Sequence, residues 1–175
     1  DLVHVTGAGV GGGLSIAFAA RRPERVARMV VASPATFIPE ELHERLVARA
    51  AMVEKEGMRC FADVSLSLSY PEELRGNRER FEQYRRRWLA NDPFCFAAIN
   101  RMHMKTNLEG ELGTIRCPTL VIGTRCNPIR TPEMSRRVAA AIPGARFVEA
   151  DSGHFMPAET PELFASHAIP FFRGQ

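Results

Sequence analysis

The run Gly7-Ala8-Gly9-Val10-Gly11 follows the β-branched stretch Val3-His4-Val5-Thr6 and leads through Gly12-Gly13 into an Ala-rich helical sequence. This is the layout of a nucleophile elbow, G-x-S-x-G. There a serine on a strained strand-to-helix turn raises its Oγ above a sheet, and the next backbone N–H faces the developing oxyanion. Gly7 and Gly11 hold the outer positions, and Gly9 stands at the centre. Glycine has no side chain with which to attack, so acyl-enzyme chemistry at position 9 is excluded. The Val10 N–H, with Ala8 on the other side of Gly9, remains as oxyanion or ligand-binding backbone. The elbow residue usually adopts φ > 0, which costs a non-glycine residue roughly 1–2 kcal/mol and glycine little. A relaxed turn suits a scaffold released from hydrolysis, and equally a serine-to-glycine change made to trap a ligand.

The elements that must hold this turn are read from periodicity. Strands are expected near 2–6, 28–33, 118–123 and 146–150, each apolar or β-branched and each followed by a helical segment. Alternating strand and helix predicts an α/β fold with a parallel sheet covered on both faces, the strand near 2–6 pairing with that near 28–33. The segment from Thr36 to Ile115 breaks the alternation, holding several helical stretches and no convincing strand. Pro39-Glu40-Glu41 opens one helix, with Leu42, Leu46, Val47, Ala50 and Val53 as its apolar stripe. A second runs from about Arg78 to Leu89, and a third starts at Pro93 behind the N-cap Asp92. An insertion of this kind between two sheet strands reads as a lid. The expected division is core over 1–36, helical cap over 37–115 and core again over 116–175.

A length of 175 residues with 45% apolar content fits one globular domain with a sizeable core. The net charge is +3. The arginines cluster at Arg21, Arg22, Arg25 and Arg28 and at Arg85-Arg86-Arg87, interleaved with Glu24, Glu79 and Glu82, which is the pattern of a solvated helix face and not of a nucleic-acid partner. No apolar run approaches the roughly 20 residues that span a bilayer. Asp1-Leu2-Val3-His4 lacks the basic start of a signal peptide, so a soluble, cytoplasmic protein is expected. Cys60, Cys95, Cys117 and Cys126 are widely spaced without a C-x-x-C pair, which points to reduced thiols, no metal and no cofactor.

Taken in order, the pieces have a family resemblance. Beyond the elbow come the apolar run Met29-Val30-Val31-Ala32, then Pro118-Thr119-Leu120-Val121-Ile122-Gly123, Ala141-Ile142-Pro143-Gly144-Ala145 and Arg146-Phe147-Val148-Glu149. Ser152-Gly153-His154-Phe155 and Glu159-Thr160-Pro161-Glu162-Leu163-Phe164 close the series. In this order they resemble the C-terminal two-thirds of an α/β-hydrolase, over nearly the whole chain. The segments Met52-Val53-Glu54-Lys55-Glu56-Gly57-Met58 and Leu89-Ala90-Asn91-Asp92-Pro93-Phe94-Cys95-Phe96-Ala97-Ala98 are similar to the helical cap of enol-lactone hydrolases of the 3-oxoadipate type. The resemblance implies a cap that roofs the active site. In the family, four strands and a helix precede the elbow strand. Their absence here implies a missing N-terminal half, or a homo-oligomer partner, covering an otherwise apolar sheet edge. The family's second oxyanion donor comes from that earlier part, leaving the Val10 N–H.

The resemblance also implies the residues of the site. Its general base is a histidine after the last strand, which is His154; the structural alternative is that His154 only packs against or caps the last helix. His43 and His167 have no such context, His4 lies in a strand, and His103 lies in the cap, where it can face the pocket. The family's acid belongs in the loop Gly123-Thr124-Arg125-Cys126-Asn127-Pro128, with Cys126 at the aspartate's place and Asn127 next to it. Neither is charged at neutral pH unless Cys126 is a thiolate. Asn127 can accept a hydrogen bond from a His154 ring N–H and fix its tautomer, but it cannot stabilise an imidazolium as a carboxylate does. Asp151 is the nearest carboxylate in sequence to His154, at no family position. Cys126 as a substitute nucleophile would attack without the Val10 N–H set for it. Two departures argue for natural divergence over a trap, which needs one.

Loss of the triad serine typically costs on the order of 10⁶ in kcat, leaving about 10³–10⁴ over water, so a dedicated serine hydrolase is excluded. Three readings remain open. One is an enzyme that binds a small carbonyl, enol or lactone-type compound under the cap and uses His154 for proton transfer. Another is an inactive pseudo-hydrolase that binds a ligand or partner. The last is a fragment or variant of an enol-lactone or ester hydrolase.

Overall fold

The computed structural model describes residues 1–175 in full. Four parallel strands, β1 (Val3–Ala8), β2 (Val26–Ala32), β3 (Thr119–Thr124) and β4 (Arg146–Ala150), form one sheet in the order β1-β2-β3-β4. Ala8 pairs with Ala32, Ala32 with Ile122, and Thr124 with Ala150. The carboxyl ends of all four strands therefore align, and the loops that leave them share one edge of the sheet, where ligands gather in parallel α/β folds.

The strands are buried because helices cover both faces. Met29, Val31 and Val121 pack with Ile16, Val138 and Ile142 on one face, while Val30, Ala32, Leu120 and Ile122 pack with Met156, Ala168 and Phe171 on the other. This is the two-residue alternation of a pleated sheet. The first face is covered by α1 (Val10–Arg21) and α7 (Pro132–Ala141), the second by α8 (Met156–Glu159) and α9 (Pro161–Phe172). Each fully buried Ile, Leu or Met contributes roughly 1.5–3 kcal/mol.

Between β2 and β3 the chain forms α2 (His43–Glu56), α3 (Ala62–Ser69), α4 (Arg78–Leu89), α5 (Pro93–Met104) and the short α6 (Glu109–Leu112). Its one β contact is the isolated bridge between Phe37 and Asn107. Local signals set the helix starts. The Asn77 side chain accepts from the Arg80 N–H at 3.0 Å and Asp92 from the Cys95 N–H at 2.8 Å, with Pro93 in the first turn. Val53, Met58, Ala62, Leu66 and Trp88 form a separate apolar cluster, so these helices have a core of their own. Arg101 grips Glu54 through two bonds of 2.5 and 2.6 Å, joining α5 to α2.

Two details differ from the sequence reading. Of the expected stripe on α2, Ala50 and Val53 are buried, but Leu42 and Val47 are 40% and 49% exposed, because the helix packs through its Ala50–Val53 side. Leu108, Leu112 and Ile115, at the end of the 37–115 segment, pack into the sheet cluster with Ile16 and Met29 and not with the inserted helices. No helix is long and apolar enough to cross a membrane.

Candidate functional site

Gly9 stands between β1 and α1 with φ 53° and ψ −122°, outside the ordinary range of side-chain-bearing residues. Neighbouring backbone holds it there. Its N–H donates to the Ala32 carbonyl at 3.1 Å, and its own carbonyl accepts from Gly13 at 3.1 Å and Ala35 at 2.9 Å. Gly7 is needed for close packing, since a Cβ there would lie 2.3 Å from the Gly11 carbonyl oxygen. The strand thus turns directly into α1, and Val10 becomes the first helical residue, with its N–H in the first turn beyond the Ala8–Gly9 corner.

His154, carried by the loop after β4, reaches this corner. A Cβ on Gly9 would sit 3.2 Å from His154 Nε2 and 3.7 Å from the Phe155 ring. The His154 ring lies edge-on to Phe155, with centroids 4.5 Å apart, and its Nδ1 is buried without a hydrogen-bond partner. Burial first, then the charge of Arg130 and the neighbouring His103, push its pKa down to about 4. The imidazole is therefore neutral at pH 7.

The loop after β3 behaves differently from the sequence expectation. Asn127 is buried, but its Oδ1 accepts from the Ile129 N–H at 3.1 Å and the Arg130 N–H at 3.0 Å, while its Nδ2 donates to Thr124 Oγ1 at 3.0 Å. The amide is consumed by its own loop and does not bond the His154 ring. Thr124 Oγ1 in turn lies 2.7 Å from Ser33 Oγ, in a buried network. The Cys126 N–H donates to the Ser152 carbonyl at 3.0 Å, linking the β3 and β4 loops. Burial and the nearby carboxylates of Glu73, Asp151 and Glu159 push its thiol pKa up, so it is no thiolate at neutral pH. Asp151 is exposed and paired with Arg125 Nη1 at 2.6 Å.

His103 of α5 does come to the site. It shares a cavity of about 140 Å³ with Val10, Gly13, Ala35, Met102 and Leu108, and burial together with Arg130 and Arg49 pushes its pKa down to about 4. His4 instead stacks on Phe172 with centroids 4.9 Å apart. No group of His, Cys, Asp and Glu side chains is arranged to hold a metal ion.

Two residues that the sequence reading passed over matter here. Arg130 is buried, with its side chain donating to the Phe37 carbonyl and its charge felt at His154 and His103, and Glu159 is buried against Ser152 and Gly153. Burial pushes the Glu159 pKa up to about 7. Sequence offered weak signals for both: an arginine in a loop between two prolines, and a glutamate in a helix-start pattern that reads as exposed.

The sequence profile described as serine aminopeptidase, S33, a family of α/β-hydrolases, matches residues 2–150. The chain belongs to this S33 family. Among similar proteins, the "Putative carbamate hydrolase RutD" of Caulobacter sp. (strain K31) is 25% identical over 179 residues, covering 100% of this chain and 67% of that protein. The enol-lactonase from Burkholderia xenovorans LB400 has a solved structure that matches with a TM-score of 0.91 at 27% identity, over 98% of this chain and 66% of that one. A thermophilic esterase from Thermogutta terrifontis, solved with malate bound, matches with a TM-score of 0.89 at 26% identity, over 99% of this chain and 65% of that one. The chain thus spans about two thirds of the length of these relatives, and its fold is that part of an α/β-hydrolase, with enol-lactonase among its near structural likenesses.

Proposed function

We propose that this S33 chain binds a small carbonyl, enol or lactone-type compound over Gly9, beneath the inserted helices acting as a cap, and that His154 Nε2 transfers the proton in a reaction without a serine nucleophile. The carrying observation is the 3.2 Å between His154 Nε2 and the place of a Gly9 Cβ, which sets the imidazole directly against the elbow corner where a serine side chain would begin. A neutral imidazole there can take a proton from a carbon beside a carbonyl or from water, while the Val10 N–H faces the developing oxyanion. Kinship with the enol-lactonase and RutD proteins supports this substrate class.

The pseudo-hydrolase reading has an observation of its own: His154 Nδ1 has no partner, so nothing stabilises the imidazolium that proton transfer would create. The third reading, a piece or variant of an enol-lactone or ester hydrolase, draws on the two-thirds span of the relatives. In that case further strands, or a second copy, would cover the free edge of β1. Turnover assays with enol-lactones and small carbamates separate them. The proton-transfer enzyme turns over at least one such compound with Gly9 in place and loses that activity in His154→Ala. Binding without turnover by any of them supports the pseudo-hydrolase, and ester hydrolysis that survives His154→Ala places the chemistry elsewhere.

A further inference from the structure

The imidazole at the centre of the proposed reaction has no bond at its rear nitrogen to orient it. His154 Nδ1 is buried without a hydrogen-bond partner, and the ring meets Phe155 edge-on. Where the ring points is therefore decided by the backbone of the short loop that carries it, residues 152–155, between the end of β4 and the start of α8.

Glu159 touches that loop in three places. Ser152 Oγ donates to its Oε2 at 3.3 Å, and Thr160 Oγ1 donates to the same serine hydroxyl at 2.8 Å, which leaves the Ser152 hydrogen free for the carboxyl. A Cβ on Gly153 would lie 2.8 Å from both carboxyl oxygens, so the carboxyl rests on the Gly153 backbone and no side chain fits between them. Beyond His154, the Glu159 N–H donates to the Phe155 carbonyl at 3.1 Å. One residue thus holds the chain just before and just after the histidine. The inserted segment closes the same position, with Pro71 Cδ also 2.8 Å from the place of a Gly153 Cβ.

A carboxyl is costly here. Glu159 is 3% exposed, its Oε1 has no hydrogen-bond partner, and no cation pairs with it: Arg80 reaches the Glu159 carbonyl and the Glu162 carboxylate instead. An apolar side chain of the same size would avoid the desolvation of a buried acid. It would not offer an acceptor to the Ser152 hydroxyl or a flat, rigid end to lay against Gly153.

We propose that Glu159 is a positioning residue for His154, its carboxyl fixing Ser152 and Gly153 so that the imidazole faces Gly9 across the elbow. This rests on the reading of His154 as the proton-transfer group and adds the residue that aims it. A reacting group must be held to within about 0.5 Å by the residues behind it, and with no bond to Nδ1 that support comes through the loop.

The test follows the His154 ring by NMR in the whole chain and needs no substrate. His154 Cε1 lies 3.5 Å from the place of a Gly9 Cβ, so the parent should show a cross-relaxation contact between the ring Hε1 and the Gly9 α-hydrogens. Glu159→Met, unbranched and of similar size but without an oxygen acceptor, should lose most of that contact. It should also let the His154 pKa rise from about 4 toward the 6.5 of an ordinary histidine as the ring gains water. Glu159→Gln keeps the reach and one acceptor oxygen and should retain both signatures. Glu159→Asp withdraws the carboxyl by one methylene; it should weaken them in the same direction as Glu159→Met, and it decides the matter if the methionine variant fails to fold. A contact and a pKa unchanged in both of these variants, whatever their stability, would overturn the positioning role, because the carboxyl would then only fill space. A loss in Glu159→Gln as large as in Glu159→Met would overturn it too. A parent without the Gly9 contact would instead remove His154 from the elbow, and the proton-transfer reading would fall first, taking the positioning role with it.

Discussion

At the scale of single residues, His154 is a buried, neutral imidazole, and its depressed pKa has a definite sign in stability. The unfolded chain titrates this histidine near 6.5 and the folded one at about 4, so between these values the unfolded state binds more protons. The contribution is fully present above pH 6.5 and is lost as pH falls toward 4, on the order of 3 kcal/mol for so buried a ring. His154→Gln should remove that part of the acid sensitivity, as chemical denaturation across pH 4–7 would measure. Gly9 makes the opposite demand. At φ 53° a side chain is strained and would lie 3.2 Å from Nε2, so Gly9→Ala is expected to lower stability by about 1–3 kcal/mol in urea melts. Gly9→Ser alone should restore little hydrolysis of p-nitrophenyl acetate, because a triad without its carboxylate forgoes about 10⁴ in rate. Adding Asn127→Asp should raise it no further, because the Ile129 and Arg130 N–H groups hold that side chain in its own loop and away from the His154 ring, and Cys126→Asp should not either, since that side chain lies among the carboxylates of Glu73, Asp151 and Glu159.

Among elements, the contact between the inserted helices and the last two helices turns on one buried carboxyl. Glu159, ending α8, lies against Gly153 and Ser152, and its charge reaches Tyr70 and Tyr84 from the α3–α4 region. Arg80 of α4 reaches over it to the Glu159 carbonyl at 3.3 Å and the Glu162 carboxylate at 2.5 Å. Because burial raises the Glu159 pKa to about 7 from an ordinary value near 4.5, the folded state binds the extra proton between those values. Stability from this group is present below pH 4.5 and lost as pH rises through 7, opposite in sign to His154. Glu159→Gln is therefore expected to be more stable than the parent by about 1–3 kcal/mol at pH 8, with the difference fading by pH 5. Paired denaturation curves at the two pH values would reveal a pH-independent difference if the carboxyl were in fact solvated.

For the whole molecule, the sheet ends on one side at β1, where Leu2 and Val3 are 64% and 41% exposed, while on α1 Leu14 and Phe18 are 57% and 40% exposed. An open strand edge beside apolar side chains pairs readily with another chain. For these 175 residues expressed alone, association that grows with protein concentration is expected in sedimentation, and Leu14→Lys with Phe18→Lys should weaken it by roughly tenfold, the two side chains both being exposed on α1. A chain that stays monomeric at all accessible concentrations would contradict this.

What the sequence determined by itself was whatever depends on near neighbours. The β-branched runs became four parallel strands within about two residues of their expected bounds, and Asp92 capped its helix, because alternation and capping act over a few residues. The Gly7-Gly9-Gly11 spacing and the Gly153-His154 context were equally legible, each being a local backbone requirement. Tertiary structure decided the rest. Whether Asn127 would serve His154 depended on which donors its own loop turned toward it, and the loop took both of them for itself. Which face of α2 was buried depended on α5, so Leu42 and Val47 went outward despite their place in the stripe. The charge of Arg130 is felt at His154 because the strand register aligns the loops after β3 and β4 on one edge. The energy of a buried charge is set by whatever lies within a few ångströms in space, and no local pattern in the chain encodes that distance.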